Sequence, residues 1–191
     1  SRMLLSRRDY TTLEEYLLTT YAEFKSGALF TRRTHETKIQ MLVYIVNTLT
    51  KNDKMVEAES YIQLLHESLE EFNRLHYRKY LAYYYNALSA IYKKLDPQKC
   101  ITMLEECVQD EIFKDQPVYD FLMWVNLSVL YFDERKYRKA LKTLVRVGIH
   151  DSYNTQGNAF RLRLAVFEIV LRMETEEFDI IESRLEKVRK E

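Results

Sequence analysis

Histidine ligates metals and moves protons near neutral pH, so His35, His66, His76 and His150 are the first residues to test for chemistry. They are scattered, and no Cys-x-x-Cys or His-Glu-x-x-His spacing gathers ligands onto one helical turn. Cys100 and Cys107 stand on one predicted helix, separated by about 10 Å at the helical rise, which is too far for a disulfide. They read as reduced thiols that pack as small hydrophobes. Nucleophilic catalysis calls for a Ser or Cys on a strained, exposed turn beside a His, and phosphate cradling calls for a glycine-rich loop. Gly27, Gly148 and Gly157 are the only glycines, so neither device is available. Paired acids such as Glu105 and Glu106 are sequence neighbours and point in different directions on a helix. No catalytic, cofactor-binding or metal-ligating residue is expected, and the chain is read as a binding protein rather than an enzyme.

Charged and aromatic clusters offer the remaining chemistry. The run from His76 to Tyr85 interleaves Arg78 and Lys79 with five tyrosines, a combination that stacks bases or grips phosphates in other settings. Helical spacing divides it: Leu81, Tyr84, Tyr85 and Leu88 continue one packing face while Arg78, Lys79 and Lys93 project elsewhere. A second basic cluster, Arg135, Lys136, Arg138, Lys139, Lys142 and Arg146, surrounds another predicted helix. Acidic segments offset both, through Glu57, Glu59, Glu67, Glu70 and Glu71 and then Glu105, Glu106, Asp110, Glu111, Asp115 and Asp120. Such alternation favours charge-complementary packing between neighbouring elements or protomers. The formal net charge is zero, so no global field recruits nucleic acid or an anionic membrane, and neither is an expected partner.

The elements that must position these residues are helices. A chain of 191 residues that is 47% hydrophobic can bury a sizeable core. With three Gly and two Pro it has almost no turn chemistry for hairpins, so helices joined by short polar loops are predicted. The longest apolar runs, Met41 to Val46 and Phe121 to Val125, fall far short of the roughly 20 residues that span a bilayer. No apolar leader with a small-residue cleavage site follows Ser1-Arg2-Met3, a start consistent with an excised piece of a longer protein. The expected location is cytoplasmic.

A first helix is predicted from the spacing of Leu13, Tyr16, Leu17, Tyr21 and Phe24, with Asp9, Thr11 and Thr12 as N-cap candidates and a stop near Gly27. After the basic joint Thr31 to His35, helical periodicity continues in related units. The clearest is Trp124-x-x-Leu127-Ser128-x-x-Tyr131, followed by Phe132 to Ala140 and then Leu144. Upstream, Tyr85-x-x-Leu88-Ser89-x-x-Tyr92 repeats the first half, with Cys100 and Leu104 as the second. Pro97 suits the first turn of a helix, with Asp96 before it as a cap. A weaker unit runs from Leu42 through Leu49 to Ala58 and Ile62, and a fourth from Ala165 through Phe178 to Leu185. The pattern resembles the tetratricopeptide repeat, in which small residues, here Ser128 and Ala140, permit close approach of two helices while the larger side chains fill the surrounding space. The period of about 39 to 43 exceeds the family's usual 34 or so, which implies longer helices or loops and an irregular member.

The resemblance implies an all-α fold: a right-handed α-α superhelix, a solenoid of about four antiparallel helix pairs plus an N-terminal helix. Residues 1–35 would form that helix and the basic joint. Repeats at approximately 36–75, 76–112, 117–150 and 155–191 would form a single domain. It also implies that ligands lie on the first helix of each pair. Counting around those helices from the packed positions gives Tyr44, Asn47, Tyr83, Asn86, Lys93 and Asn126 as a partner-binding groove. Asn is a poor helix former, so three Asn at comparable heights suggest amides placed to grip a peptide backbone. Family members that hold chaperone tails use a paired Lys and Asn clamp, which Gln40, Val43, Asn47, Tyr83, Asn86 and Leu122 do not reproduce. The expected function is a scaffold that binds a protein or peptide in a concave groove, with no cofactor. The alternative is a structural or regulatory segment of a longer protein that self-associates, for example as a homodimer, through its repeat ends.

Overall fold

A computed structural model of the chain describes residues 9–189; the opening Ser1-Arg2-Met3 and the last two residues lie outside them. Among the described residues there are helices and no strands. The chain divides into two compact units, Ser1–Asp96 and Pro97–Glu191, and the division falls between the two helices of the second expected pair.

The first unit holds four helices: α1 (Tyr10–Ser26), α2 (His35–Lys51), α3 (Met55–Arg74) and α4 (Tyr77–Leu95). Helix α1 starts where the Asp9 carboxylate accepts the Thr12 amide at 3.1 Å, and it stops at Gly27, whose N–H returns to the Glu23 carbonyl. Three residues link α2 to α3, too few to run back along a helix, so these contacting helices form an antiparallel hairpin. Its core is Leu42, Ile45, Val46 and Leu49 against Ala58, Ile62, Leu65 and Leu69, all at most 4% exposed. Helix α1 is tied to the hairpin by Glu14, which accepts from Asn52 Nδ2 and Lys54 Nζ, both at 2.6 Å.

Helix α3 ends in an unusual way. Glu71 is extended (φ −65°, ψ 155°), and Phe72, Asn73 and Arg74 follow with φ of 53°, 59° and 60°. Three consecutive non-glycine residues in the left-handed region cost roughly 1–2 kcal/mol each. The turn sets Phe72 edge-on against His35, ring centroids 4.8 Å apart, with His76 stacked on His35 at 5.7 Å. No sequence signal marks this bend, because glycine is absent from it.

The second unit holds α5 (Pro97–Cys107), the short α6 (Glu111–Lys114), α7 (Pro117–Asp133), α8 (Tyr137–Gly148), a 3₁₀ turn (Asp151–Tyr153), α9 (Asn158–Glu174) and α10 (Phe178–Val188). Pro97 and Pro117 both sit in opening turns, where a missing N–H costs nothing. The α7–α8 hairpin closes over Ser128 and Ala140, each 0% exposed. The segment Ile149 to Gln156 reads from sequence as a plain linker, yet it is anchored. His150 Nδ1 accepts the Ser152 amide at 3.0 Å, which leaves Nε2 to donate to Asp120 Oδ2, also at 3.0 Å. Arg172, 7% exposed, lies on α9 and bonds Glu168 on its own helix and Glu177 before α10, and Arg184 of α10 also reaches Glu168. Cys100 and Cys107 are buried and no disulfide joins them. No helix of the described residues is long and apolar enough to cross a membrane.

Candidate ligand-binding groove

The face expected from sequence can be placed first within the first unit. Helices α2 and α4 run side by side, and three polar contacts fix their register. Lys79 Nζ donates to Glu36 Oε1 at 2.6 Å, Gln40 Nε2 donates to the Tyr80 hydroxyl at 2.8 Å, and Lys94 pairs with Asp53 near the other end. The partners lie 43, 40 and 41 residues apart in sequence. The same offset brings Tyr44 level with the turn that carries Tyr83, and Asn47 level with the turn that carries Asn86. Tyr44, Asn47, Tyr83, Asn86 and Lys93 are all exposed. Tyr83 meets Tyr80 with ring centroids 5.6 Å apart. Asn126 belongs to α7 in the second unit and is half-buried.

The aromatic and basic run from His76 to Tyr85 is largely engaged within the unit. Tyr80 donates to Glu36 at 2.8 Å, its hydroxyl held protonated by burial, with the Glu36 charge acting in the same sense. Lys79 is paired with the same carboxylate. Arg74 lies 4.8 Å over the Tyr77 ring and pairs with Glu70. The run therefore ties α4 to α2 and α3.

The second unit contains a cavity of about 410 Å³ whose lining comes from three segments. From α7 come Trp124, Leu127 and Tyr131, which helical spacing puts on one face. From α8 come Lys139, Lys142, Thr143 and Arg146, again one stripe. Glu105 of α5 and the following Val108 and Gln109 complete it. Leu127, Tyr131, Val108 and Thr143 are buried and Trp124 is half-buried, so the floor is mostly apolar. Lys139, Lys142 and Arg146 are exposed along one side.

Two of these cations are held against aromatic rings. Lys139 Nζ lies 5.4 Å from the Tyr131 ring centre, and the Arg146 guanidinium lies 5.0 Å from that of Trp124. The Tyr131 hydroxyl donates to Glu105 Oε1, and Lys139 Nζ stands 3.8 Å from the same oxygen. Burial raises the Tyr131 pKa, and the adjoining Glu105 carboxylate raises it further. Tyr131 therefore stays protonated near neutral pH and serves as a hydrogen-bond donor to Glu105. Cys107, on the same helix as Glu105, likewise stays protonated: burial, with Asp110 and Glu106 nearby, pushes its thiol up to about 12. The arrangement can hold a ligand with an apolar part and negative charge.

A second hollow of about 630 Å³ at the other end of α8 is lined by Arg135, Lys136, Tyr137, Arg138 and Lys139, together with Glu174 and Glu176. Its cations share the lining with carboxylates, and Lys136 already donates to Gln98 at 2.8 Å. The basic cluster around α8 was visible in the sequence, but its division between these two hollows depends on α5 and on the α9–α10 turn. Among the described residues, no group of three or more His, Cys, Asp or Glu is placed to hold a metal ion. No known protein family, curated protein or solved structure matches the chain.

Proposed function

We propose that this chain is a protein-interaction module built of irregular tetratricopeptide-like helix pairs, which binds a segment of another protein and catalyses nothing. The observation that carries the proposal is the groove of the second unit, an apolar floor of Leu127, Val108 and Trp124 beside the cations of α8. Its volume lies in the range of about 300–1,000 Å³ typical of ligand sites. The kinship of the helix pairs rests on the Trp124 to Leu144 pattern and on small Ser128 meeting Ala140 where two helices cross. Trp124 is the single tryptophan, so its emission reports directly on occupancy of the groove. Peptides selected from a random display library against the full chain should shift that emission, and Gln109→Phe, a bulky change at an exposed lining residue, should block them. Selected peptides that bind the Gln109→Phe chain undiminished and leave Trp124 emission unchanged would rule the groove out.

A second surface, the paired stripes of α2 and α4, is favoured by the matched register of Tyr44 and Asn47 with Tyr83 and Asn86. Lys93, on α4, extends it. Peptides held there should be lost on combined Asn47→Ala and Asn86→Ala substitution with Trp124 emission untouched. Sedimentation of the chain over a range of concentrations addresses the self-association alternative, which predicts a mass that rises with concentration.

A further inference from the structure

We propose that the groove between α5, α7 and α8 recognises an acidic segment of a partner protein, one in which carboxylates flank a large apolar side chain. The inference rests on the reading of this groove as a protein-binding site and adds the chemistry of what enters it.

Three cations line the groove, Lys139, Lys142 and Arg146, against one carboxylate, Glu105. That carboxylate already accepts the Tyr131 hydroxyl hydrogen and has Lys139 beside it, so its charge is committed within the wall. Lys142, by contrast, has no acidic partner among the described residues. The local excess of positive charge stands out in a chain of zero formal net charge.

The three cations occur at successive turns of α8 and span about 10 Å along its axis. Carboxylates one helical turn apart on a partner segment repeat at about 5–6 Å, and those two residues apart on an extended segment at about 6.5 Å. Either conformation can set two carboxylates against two of the three cations. Arg146 and Lys139 are held over Trp124 and Tyr131, which lowers the entropy lost when they engage an anion.

The floor of the groove selects for an apolar side chain. An inorganic anion would gain nothing from Leu127, Val108 and the half-buried Trp124, whereas a Leu or Phe side chain between carboxylates would bury against them. A nucleic acid is disfavoured because Glu106, Asp110 and Glu111 continue from the α5 side, so a long polyanion leaving the groove there would meet like charge. Both helices of the α7–α8 pair line the groove, and Asn126, the α7 residue that the repeat resemblance points to, is not part of its lining.

The test uses the full chain and a short peptide in which Glu residues flank a Leu-Phe pair, with a counterpart carrying Gln for every Glu. Trp124 emission is followed at low and high salt. The Glu peptide should give a saturable shift, its affinity should fall as salt rises, and the Gln peptide should bind at least about tenfold more weakly. Lys142→Glu with Arg146→Glu, both exposed positions, should weaken the Glu peptide by a similar factor while far-ultraviolet circular dichroism stays unchanged. Should that pair disturb folding, Lys142→Gln alone should still lessen the salt dependence. Equal binding of the Glu and Gln peptides would overturn recognition by charge and leave the groove standing as an apolar docking site. Groove occupancy by a single-stranded oligonucleotide in preference to the Glu peptide would overturn the protein partner. Should neither peptide shift Trp124 emission while display selection yields groove binders of neutral composition, the acidic proposal fails alone; should selection also yield none, the binding reading fails with it.

Discussion

The Ser128 hydroxyl donates to the Ala140 carbonyl at 2.9 Å across the α7–α8 hairpin, with both residues sealed from solvent. A side chain as short as serine thus reaches the backbone of the facing helix, which explains why small residues stand at both positions. Ala140→Leu would push the helices apart and should cost on the order of 1–3 kcal/mol. Ser128→Ala leaves the packing intact but removes the donor, for a loss of about 1 kcal/mol. Urea unfolding of each variant checks both figures. A near-zero effect of Ala140→Leu would mean that the hairpin is looser than the contact requires.

Glu14 links α1 to the rest of the first unit. Burial would raise its pKa, but the hydrogen bonds and charge of Lys54 and the amide of Asn52 outweigh that and hold it below the ordinary value. A carboxylate with a depressed folded pKa stabilises above its unfolded pKa, and that stability is lost as pH falls through the folded one. Glu14→Gln should therefore cost about 1 kcal/mol at neutral pH, since Lys54 is partly solvated, and should flatten the acid limb of the stability curve. Chemical denaturation from neutral pH down to below 4 would show an unchanged acid limb if the link carried no weight.

His35 is 1% exposed, neither ring nitrogen makes a well-formed hydrogen bond, and Glu71 Oε2 lies 3.5 Å from Nδ1. Burial lowers its pKa against the opposing charge of Glu71, while His76 and Lys38 add to the lowering. The unfolded chain then takes up the proton first. Stability should fall as pH drops from the unfolded value near 6.5 toward the lower folded one. His35→Phe keeps ring contact with Phe72 and His76 and removes both the orphaned nitrogens and the titration. It should be at least as stable as the parent at neutral pH and should lose the pH dependence in that window. A variant that retains the same dependence would assign it to another group.

Burial and the thiol pKa near 12 make Cys107 a slow nucleophile in the folded state. An alkylating reagent at mildly alkaline pH should leave it unmodified in the native chain and label both cysteines after denaturation. Rapid native labelling of Cys107 would show that the end of α5 opens readily.

Much of the helical layout was legible because its signals are local. Asp9 and Gly27 bound α1 through hydrogen bonds within a few residues, and Pro97 marks a start through its own ring geometry. Ser128 and Ala140 could be singled out because a volume constraint between two helices leaves its trace in residue size at each. The left-handed run from Phe72 to Arg74 left no trace, since none of the three is glycine and the bend is held by packing against His35 and by the Arg74 contacts with Glu70 and Tyr77. The anchoring of His150 by Asp120 was hidden for a related reason: the bond joins residues thirty apart.

The sequence by itself determined that this is a helical chain, where α1 begins and ends and where α5 begins, and that one basic cluster surrounds α8. Those properties depend on neighbours within one or two turns. Only the tertiary structure decided that Lys139, Lys142 and Arg146 border a groove with Trp124 and Tyr131, because Glu105, Val108 and Gln109 must be carried alongside from α5. It decided, too, that Tyr44 and Asn47 stand in register with Tyr83 and Asn86, since register follows from Glu36, Gln40 and Asp53 finding their partners on α4. A binding surface is a juxtaposition of side chains distant in the chain, and the distances that make it are set by packing.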